Sequence, residues 1–408
     1  VKPCPIGSLA GSAGIKALRV LHVINTVGPG GAEKLLYKLV TRPSDIRHEV
    51  IVLGGRDRYS DPLEEHGVTV HHFGKSSLGS VFGGFIRLNR LVRNIGPDVV
   101  QTWMYRSNVL GGLVARAAGI PVVWGIHCSS LGPLALGSKM IAYLSGLLAP
   151  RVPDYVINCS ARSVELHRRL GYRSVPGSVI PNGYDVGEFG PDDSRRQKAR
   201  EELGIPPETF LIGTIARWHP QKGIPILLVA AKMVRDRGAP LVCLLVGRGL
   251  DAGNSRLSAL IAENGDAGLV RAIGERSDIP EIARALDFHV LASIGSEAFP
   301  NVVAETMLSG TPNVVTDVGD SAMMVDDTGW VVPPGDVARL ADAIERAWRQ
   351  WSDQPAEWEH RRRSARERIG TSFTLDRMAE AYESVWKKLA QSSAKIRLGG
   401  VVDLHSRN

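Results

Sequence analysis

The chain predicts an α/β protein built from two doubly wound, Rossmann-like domains facing each other across a cleft, and three observations carry that expectation. Short apolar runs alternate with amphipathic stretches from one end to the other. The runs are nearly continuous in Val, Ile and Leu, as strands covered on both faces of a parallel sheet must be. The alternation stops at a polar stretch, Asp192–Glu202, and then begins again, which fits two units in 408 residues.

The first series reads as strands Leu18–Asn25, Glu49–Leu53, Val68–His72, Asp98–Thr102, Pro121–Ile126 and Tyr155–Cys159. A glycine-rich loop, Thr26–Gly31, opens a helix over Ala32–Val40. Turn signals at Pro181-Asn182-Gly183 precede the polar stretch and place a boundary near 185–192. The second series gives strands Phe210–Ala216, Pro240–Val246, Val270–Ile273, Phe288–Ala292 and Asn313–Thr316. Helices Ile224–Arg235, Ser255–Glu263 and Ile279–Arg284 lie between them. Pro300 suits the first turn of a further helix, and Gly310 with Pro312 suits its stop. The expected units are a domain over 18–187 and a domain over 188–372. The last helix, Leu375–Leu389, ends the ordered part, leaving residues 1–17 as a small-residue leader and 391–408 as a tail.

At 44% hydrophobic and 22% charged the composition excludes a disordered or fibrous chain. No apolar run reaches the roughly 18 residues of a membrane span. Cys4, Cys128, Cys159 and Cys243 are too far apart for a metal or redox motif and read as reduced thiols. The net charge of +7 is uneven: residues 1–185 hold 21 Lys/Arg against 11 Asp/Glu, and the remainder 28 against 31. A basic first half favours anionic partners, such as phosphorylated substrates or acidic lipid. Nucleic acid is not expected, because no aromatic stacking platform accompanies the charge.

Several constellations could do chemistry. Gly28-Pro29-Gly30-Gly31-Ala32-Glu33 follows the first strand, where glycines let a backbone approach phosphate, though a tight turn explains them equally. Arg217 and Lys222 share one loop at a strand end and can clamp a diphosphate. Glu297 and Glu305 flank the start of the Pro300 helix, whose free N–H groups form an anion cradle. Two carboxylates allow a glycosidase reading, but a carboxylate beside a phosphate cradle is better placed to accept ribose hydroxyls. His127 ends the strand Pro121–Ile126 at the mouth of the cleft. Residues 82–93, with Arg87, Arg90 and Arg93, and the apolar segment 131–153 are candidate contacts with an anionic membrane; surface packing and a buried helix are the plain alternatives.

Taken in order, these residues resemble glycosyltransferase family 4, the retaining group 1 transferases of GT-B fold. The matching positions are Gly30-Gly31-Ala32-Glu33, Trp124-Gly-Ile-His127, Pro181-Asn182-Gly183, Arg217 with Lys222-Gly223, Leu245-Val-Gly247, the Glu297/Glu305 pair with Pro300-Asn-Val, and Ser309-Gly-Thr-Pro312. The resemblance implies that Arg217 and Lys222 hold the donor diphosphate and stabilise the departing nucleotide. It gives Glu305 the ribose hydroxyls and Glu297 the donor sugar. Phe299, Asn301 and Val302 offer backbone N–H groups, Gly247 joins the donor-binding set, and His127 contacts the transferred sugar. Gly30 and Gly31 border the diphosphate from the other domain. It also implies no metal or other cofactor, and a final helix, 373–390, that crosses back to join the first domain. Ala298 and Arg248 depart from the family's usual residues without removing a key group.

The string Gln101-Thr-Trp103-Met-Tyr105-Arg-Ser-Asn108 resembles members that assemble bacterial polysaccharides or lipid-linked glycans. The expected activity is transfer of a hexose or N-acetylhexosamine from a UDP-linked sugar to a growing cell-surface or lipid-linked glycan, at the inner face of the cytoplasmic membrane. The alternatives are a transferase for a small soluble acceptor and a GT-B UDP-sugar epimerase.

Overall fold

The computed structural model describes residues 17–74, 81–132, 135–264, 268–295 and 297–402. The leader over 1–16, positions 133, 134 and 296, and the tail beyond 402 lie outside the described residues.

Two parallel sheets carry the chain. The first contains β1 (Arg19–Ile24), β2 (Arg47–Val52), β3 (Thr69–His72), β4 (Val99–Trp103), β5 (Val122–Ile126), β6 (Tyr155–Asn158) and β7 (Gly177–Val179), in the order β3-β2-β1-β4-β5-β6-β7. The second contains β8 (Phe210–Ile215), β9 (Leu241–Val246), β10 (Val270–Gly274), β11 (Phe288–Leu291), β12 (Asn313–Thr316) and β13 (Trp330–Val332), in the order β10-β9-β8-β11-β12-β13. The order reverses between β1 and β4 in one sheet and between β8 and β11 in the other. Ligand crevices of doubly wound sheets open at those points, beyond the C-terminal strand ends.

Helices cover both faces of each sheet. The first domain uses α1 (Gly31–Thr41), α2 (Ser60–Glu65), α3 (Val81–Ile95), α4 (Met104–Ala117), α5 (Leu136–Leu148) and α6 (Ala161–Arg169). The second uses α7 (Asp193–Glu202), α8 (Ile224–Asp236), α9 (Ser255–Asn264), α10 (Ile279–Ala285), α11 (Asn301–Leu308), α12 (Ser321–Val325), α13 (Val337–Asp353) and α14 (Pro355–Ser372). Double coverage is why strands such as β9 bury all six residues. A last helix, α15 (Leu375–Val402), returns to the first domain. There Met378, Ala379, Tyr382 and Trp386 complete a core with Leu36, Val50, Val99 and Trp103.

The structure differs from the sequence reading in three places. The polar stretch Asp192–Glu202, to which the sequence reading assigned no element, forms α7, started by Asp192 accepting from the Arg195 N–H at 3.0 Å. Its Arg200 reaches inward to the buried Asp287 at 2.9 Å, so a helix with almost no apolar face is held by an ion pair. The short edge strands β7 and β13 were not anticipated, since three residues carry little periodicity. And α15 does not stop at Leu389: Ala394-Lys-Ile-Arg-Leu398 carries no breaker, and the helix runs on through Gly399 and Gly400 to Val402.

The chain crosses between domains twice, side by side. Tyr184 donates its N–H to Phe373 and accepts from the Leu375 N–H, both at 2.9 Å. A Cβ on Gly183 would lie 2.7 Å from the Thr374 carbonyl and 2.8 Å from the Met378 Cβ, so only glycine fits the crossing. Gly183→Ala is expected to destabilise the protein by about 1–3 kcal/mol through this overlap, and Trp386→Ala by about 3–5 kcal/mol through loss of a buried indole. Thermal unfolding checks both; melting curves unchanged from the parent in either variant would contradict this account of the crossing.

Candidate active site

The site is assembled from loops at the two switch points. After β8 the chain makes a short turn, Pro220–Lys222, and enters α8 through Gly223 at φ +64°. A Cβ there would sit 1.9 Å from the Ala292 carbonyl at the end of β11. Glycine therefore lets two cleft loops touch, and the Ile294 N–H fastens them to the Gln221 carbonyl at 2.8 Å. Gly247 plays a matching part after β9: at φ +134°, its Cβ would lie 2.1 Å from the Ala216 carbonyl.

That contact brings Lys222 against Glu297, and the two form a mostly buried ion pair. Glu297 Oε1 also accepts from the Ser293 hydroxyl at 2.7 Å. Arg217, on the same loop as Lys222, is exposed and makes no ion pair among the described residues. Pro300 precedes α11 and supplies no side-chain cap. The N–H groups of Asn301 and Val302 therefore have no intrahelical acceptor and point toward the cleft end of the sheet. Phe299 is buried against Tyr184 and Phe373 and anchors this turn.

Glu305 lies on α11, about one turn further in. Its carboxylate accepts from Lys34, on α1 of the opposite domain, at 2.7 Å. Burial opposes the charge on Lys34, but Glu305 and Glu188 outweigh it and raise the lysine pKa. On the first-domain side, Gly31 faces α11 directly: a Cβ would lie 3.2 Å from the Asn301 amide nitrogen. Gly30 makes room for Glu33, whose carboxylate would be 2.0 Å from a Cβ there. A cleft of about 500 Å3 opens between the domains here, lined by Gly30, Gly31, Lys34, Arg58, Arg276 and Asn301 among others.

His127 sits at the end of β5 with its ring stacked on Trp103, centroids 5.2 Å apart at 14°. Both ring nitrogens are shielded from solvent and make no good hydrogen bond among the described residues, and the same holds for Asn182 Oδ1. Burial pushes the imidazole pKa down to about 4, with the Asn182 amide opposing weakly, so His127 is neutral at physiological pH. Asn182 donates to Asn301 Oδ1 at 3.0 Å and Tyr184 to the same oxygen at 2.8 Å. Shielded polar atoms without partners fit a polar ligand, since leaving them empty-handed costs roughly 1–3 kcal/mol each.

Trp103 has a support of its own. It stacks on Tyr382 of α15, at 5.9 Å and 13°, and donates its indole N–H to His22 Nδ1 at 3.2 Å. His22 must then carry its proton on Nε2, 3.0 Å from His48 Nδ1. Met104, next in sequence, has φ +69°, a strained value for a non-glycine residue at the cleft end of β4.

Sequence reasoning singled out Glu297, Glu305, Lys222, Arg217, His127 and the glycines; the structure joins Lys222 to Glu297, brings Gly31 against Asn301 on the helix that carries Glu305, and links His127 through Asn182 to Asn301, while Arg217 and Gly247 lie on the loops after β8 and β9. That reasoning gave no role to Lys34, Asn182, Tyr184, Ser293 or Arg276. Lys34 directly follows the Gly30–Glu33 motif, Asn182 lies within Pro181–Gly183 and Tyr184 directly follows it, so those three had a signal. Ser293 and Arg276 had none.

Two family profiles match the chain: Glycosyltransferase Family 4 over residues 29–188, and Glycosyl transferases group 1 over residues 209–350. A D-inositol 3-phosphate glycosyltransferase of Catenulispora acidiphila is 30% identical over 333 residues, 76% of this chain and 77% of the relative. The UDP-Gal:alpha-D-GlcNAc-diphosphoundecaprenol alpha-1,3-galactosyltransferase of Escherichia coli is 26% identical over 274 residues, 64% and 69% of the two chains. Among solved structures, Anabaena HepE in complex with UDP and glucose superposes with a TM-score of 0.79 at 23% identity, covering 91% of this chain and all of that one; this likeness establishes the GT-B fold.

The histidines set an acid limit. His48, His127, His167 and His289 all have pKa values lowered to about 4 by burial, against about 6.5 in an unfolded chain. The unfolded state binds more protons between those values, so stability is full above pH 6.5 and is lost as pH falls toward 4. Melting midpoints measured at pH 7, 5.5 and 4.5 are expected to fall in that order; a flat profile would show that the rings are not buried as described.

Proposed function

The chain belongs to the group 1 glycosyltransferases of family 4, and from that premise we propose that it moves a hexose or N-acetylhexosamine from a UDP-linked sugar to a lipid-linked glycan at the inner face of the cytoplasmic membrane. The observation that carries the reading is the Lys222–Glu297 pair at the second switch point, with Glu305 one helical turn beyond it and Gly31 directly across the cleft. In this reading Glu297, then Lys222 with the N–H cradle, then Glu305 lie in the order that a sugar, a diphosphate and a ribose require.

In this reading Lys222 and Arg217 bind the diphosphate, helped by the N–H groups of Asn301 and Val302. Glu297 fixes Lys222 through Oε1. Its Oε2 makes no hydrogen bond among the described residues and takes a hydroxyl of the donor sugar. Glu305 takes the ribose hydroxyls, with Lys34 holding its carboxylate toward the cleft. Neutral His127 and Asn182 provide the unpartnered atoms that meet the sugar near its anomeric carbon. The bond from that carbon to the diphosphate breaks, the bond to the acceptor hydroxyl forms, and the acceptor's proton passes to the departing diphosphate oxygen. Charge builds on that oxygen as the bond breaks, and Arg217 and Lys222 are already oriented there, which is the principal electrostatic contribution. That pair makes a metal unnecessary.

The UDP donor and the diphosphate-lipid acceptor are supported by the Escherichia coli relative, whose name specifies both kinds of substrate. A second reading has a specific observation in its favour. The relative at 30% identity acts on D-inositol 3-phosphate, so a small phosphorylated acceptor would suit the cations Lys34, Lys38 and Arg58 on the first-domain side. Assaying one donor against a lipid-diphosphate sugar and against a sugar or polyol phosphate separates the two.

Lys222→Ala is expected to lower kcat by about 100-fold or more, and Glu305→Ala to abolish measurable transfer, with circular dichroism showing a folded protein whose melting temperature is lowered because each change leaves a mostly buried charge unpaired. Near-normal turnover in both variants would remove the reading. Activity is expected to survive excess EDTA, and its loss, with recovery on adding a divalent cation, would overturn the metal-independent step.

A further inference from the structure

Helix α5 is well packed on one side and bare on the other. Its inner face is fixed: Gly146 lies so close to the Leu170 carbonyl that a Cβ would be 1.9 Å away, and the Ser145 and Tyr172 hydroxyls bond at 2.8 Å. Its outer face carries Leu136, Met140, Tyr143, Leu144 and Leu147, between 44% and 75% exposed. At 100° per residue these five positions fall within one 100° arc. Five large apolar side chains in a continuous stripe on a tightly held helix form a surface, not loose packing.

The surroundings indicate what covers it. Residues 66–153 contain eight Lys/Arg and a single acid, Asp98. Helices α3, α4 and α5 share one core on one face of the first sheet, with α4 packed between α3 and α5. Arg87, Arg90, Arg93 and Arg106 lie exposed on α3 and α4, and Arg151 just after α5. An apolar stripe whose exposed charged neighbours on α3 and α4 are all arginines, with Asp154 beyond its far end paired to Arg116, complements a surface that is anionic outside and apolar beneath. A second copy of this chain would bring the same cations face to face. At 13 residues α5 is about 20 Å long, too short to span a bilayer but suited to lie in its interface.

We propose that α5 is the element by which this protein docks on an anionic lipid bilayer, its apolar stripe entering the headgroup region and the arginines of α3 and α4 meeting acidic headgroups. Helix α3 contributes charge but does not insert, because Leu88, Val92 and Ile95 on it face the core. The placement extends the lipid-linked acceptor reading on which it rests. β5 runs into α5 at the cleft end of the sheet, and α5 begins nine residues after His127. Leu136 and Met140 are therefore the part of the stripe nearest the cleft, and a diphosphate held at the membrane surface is presented beside it.

The test is co-sedimentation of the full chain, without donor or acceptor, with vesicles of phosphatidylcholine alone or with about a third phosphatidylglycerol. Binding to the mixed vesicles is expected, weakened in 0.5 M salt and lost at least tenfold in Met140→Asp/Leu147→Asp, with an unchanged melting temperature because both side chains are solvent-facing. Arg90→Glu/Arg106→Glu is expected to lose the preference for the acidic vesicles. Binding of the α5 variant equal to the parent would overturn the proposal. So would sedimentation velocity showing a dimer that the α5 substitutions dissociate. The functional reading fails separately, if the parent binds vesicles yet transfers no sugar to a lipid-linked acceptor. A water-soluble short-chain acceptor should be used equally by the parent and the α5 variant.

Discussion

The cleft depends on two lysines held by two glutamates. Lys222 against Glu297 lies within the second domain, and Lys34 against Glu305 ties the first domain to it across 271 residues of sequence. Each ammonium would be costly to keep in a narrowing groove without a carboxylate, and each carboxylate without a cation. The glycines follow from that requirement. Gly223 brings the β8 loop onto the end of β11 so that Lys222 can reach Glu297, and Gly31 lets α1 approach α11 so that Lys34 can reach Glu305. The pairing also leaves Arg217 as the exposed cation of its loop, open to an anion.

Much of the fold was legible because buried parallel strands announce themselves. Leu241–Val246 has no polar residue and could hardly be anything else. The site was legible wherever its residues are close in sequence, as Lys222 is to Gly223 or Glu297 to Pro300. What was hidden depends on distance in the chain. Nothing local to Lys34 reports a carboxylate on α11, and Asn182 shows no sign of Asn301, 119 residues away. The polar segment at Asp192–Glu202 suggested no element for a related reason: the helix is stabilised by Arg196 and Arg200 gripping Asp287, a partner that spacing cannot reveal. Segment 131–153 was ambiguous between burial and exposure because periodicity gives the faces of a helix, not which one meets the protein.

Support for His127 comes from an unexpected direction. Its ring rests on Trp103, Trp103 rests on Tyr382, and Tyr382 belongs to the last helix of the chain. Trp386, one turn on, donates to Gln101 at 3.0 Å, two residues before Trp103. The His22–His48 pair closes the cluster from the other side. The first domain's cleft residue is thus positioned by a segment that arrives after the whole second domain.

That arrangement constrains how the molecule can be made. A ribosome delivers β1 to β7 first, yet the core they enclose lacks Met378, Ala379, Tyr382 and Trp386 until the whole second domain has been made. The second domain has its own core and needs nothing from α15. The half synthesised first is therefore the half completed last, and it waits with an open apolar socket while the other folds beside it. A nascent chain of this design has reason to keep company with a chaperone.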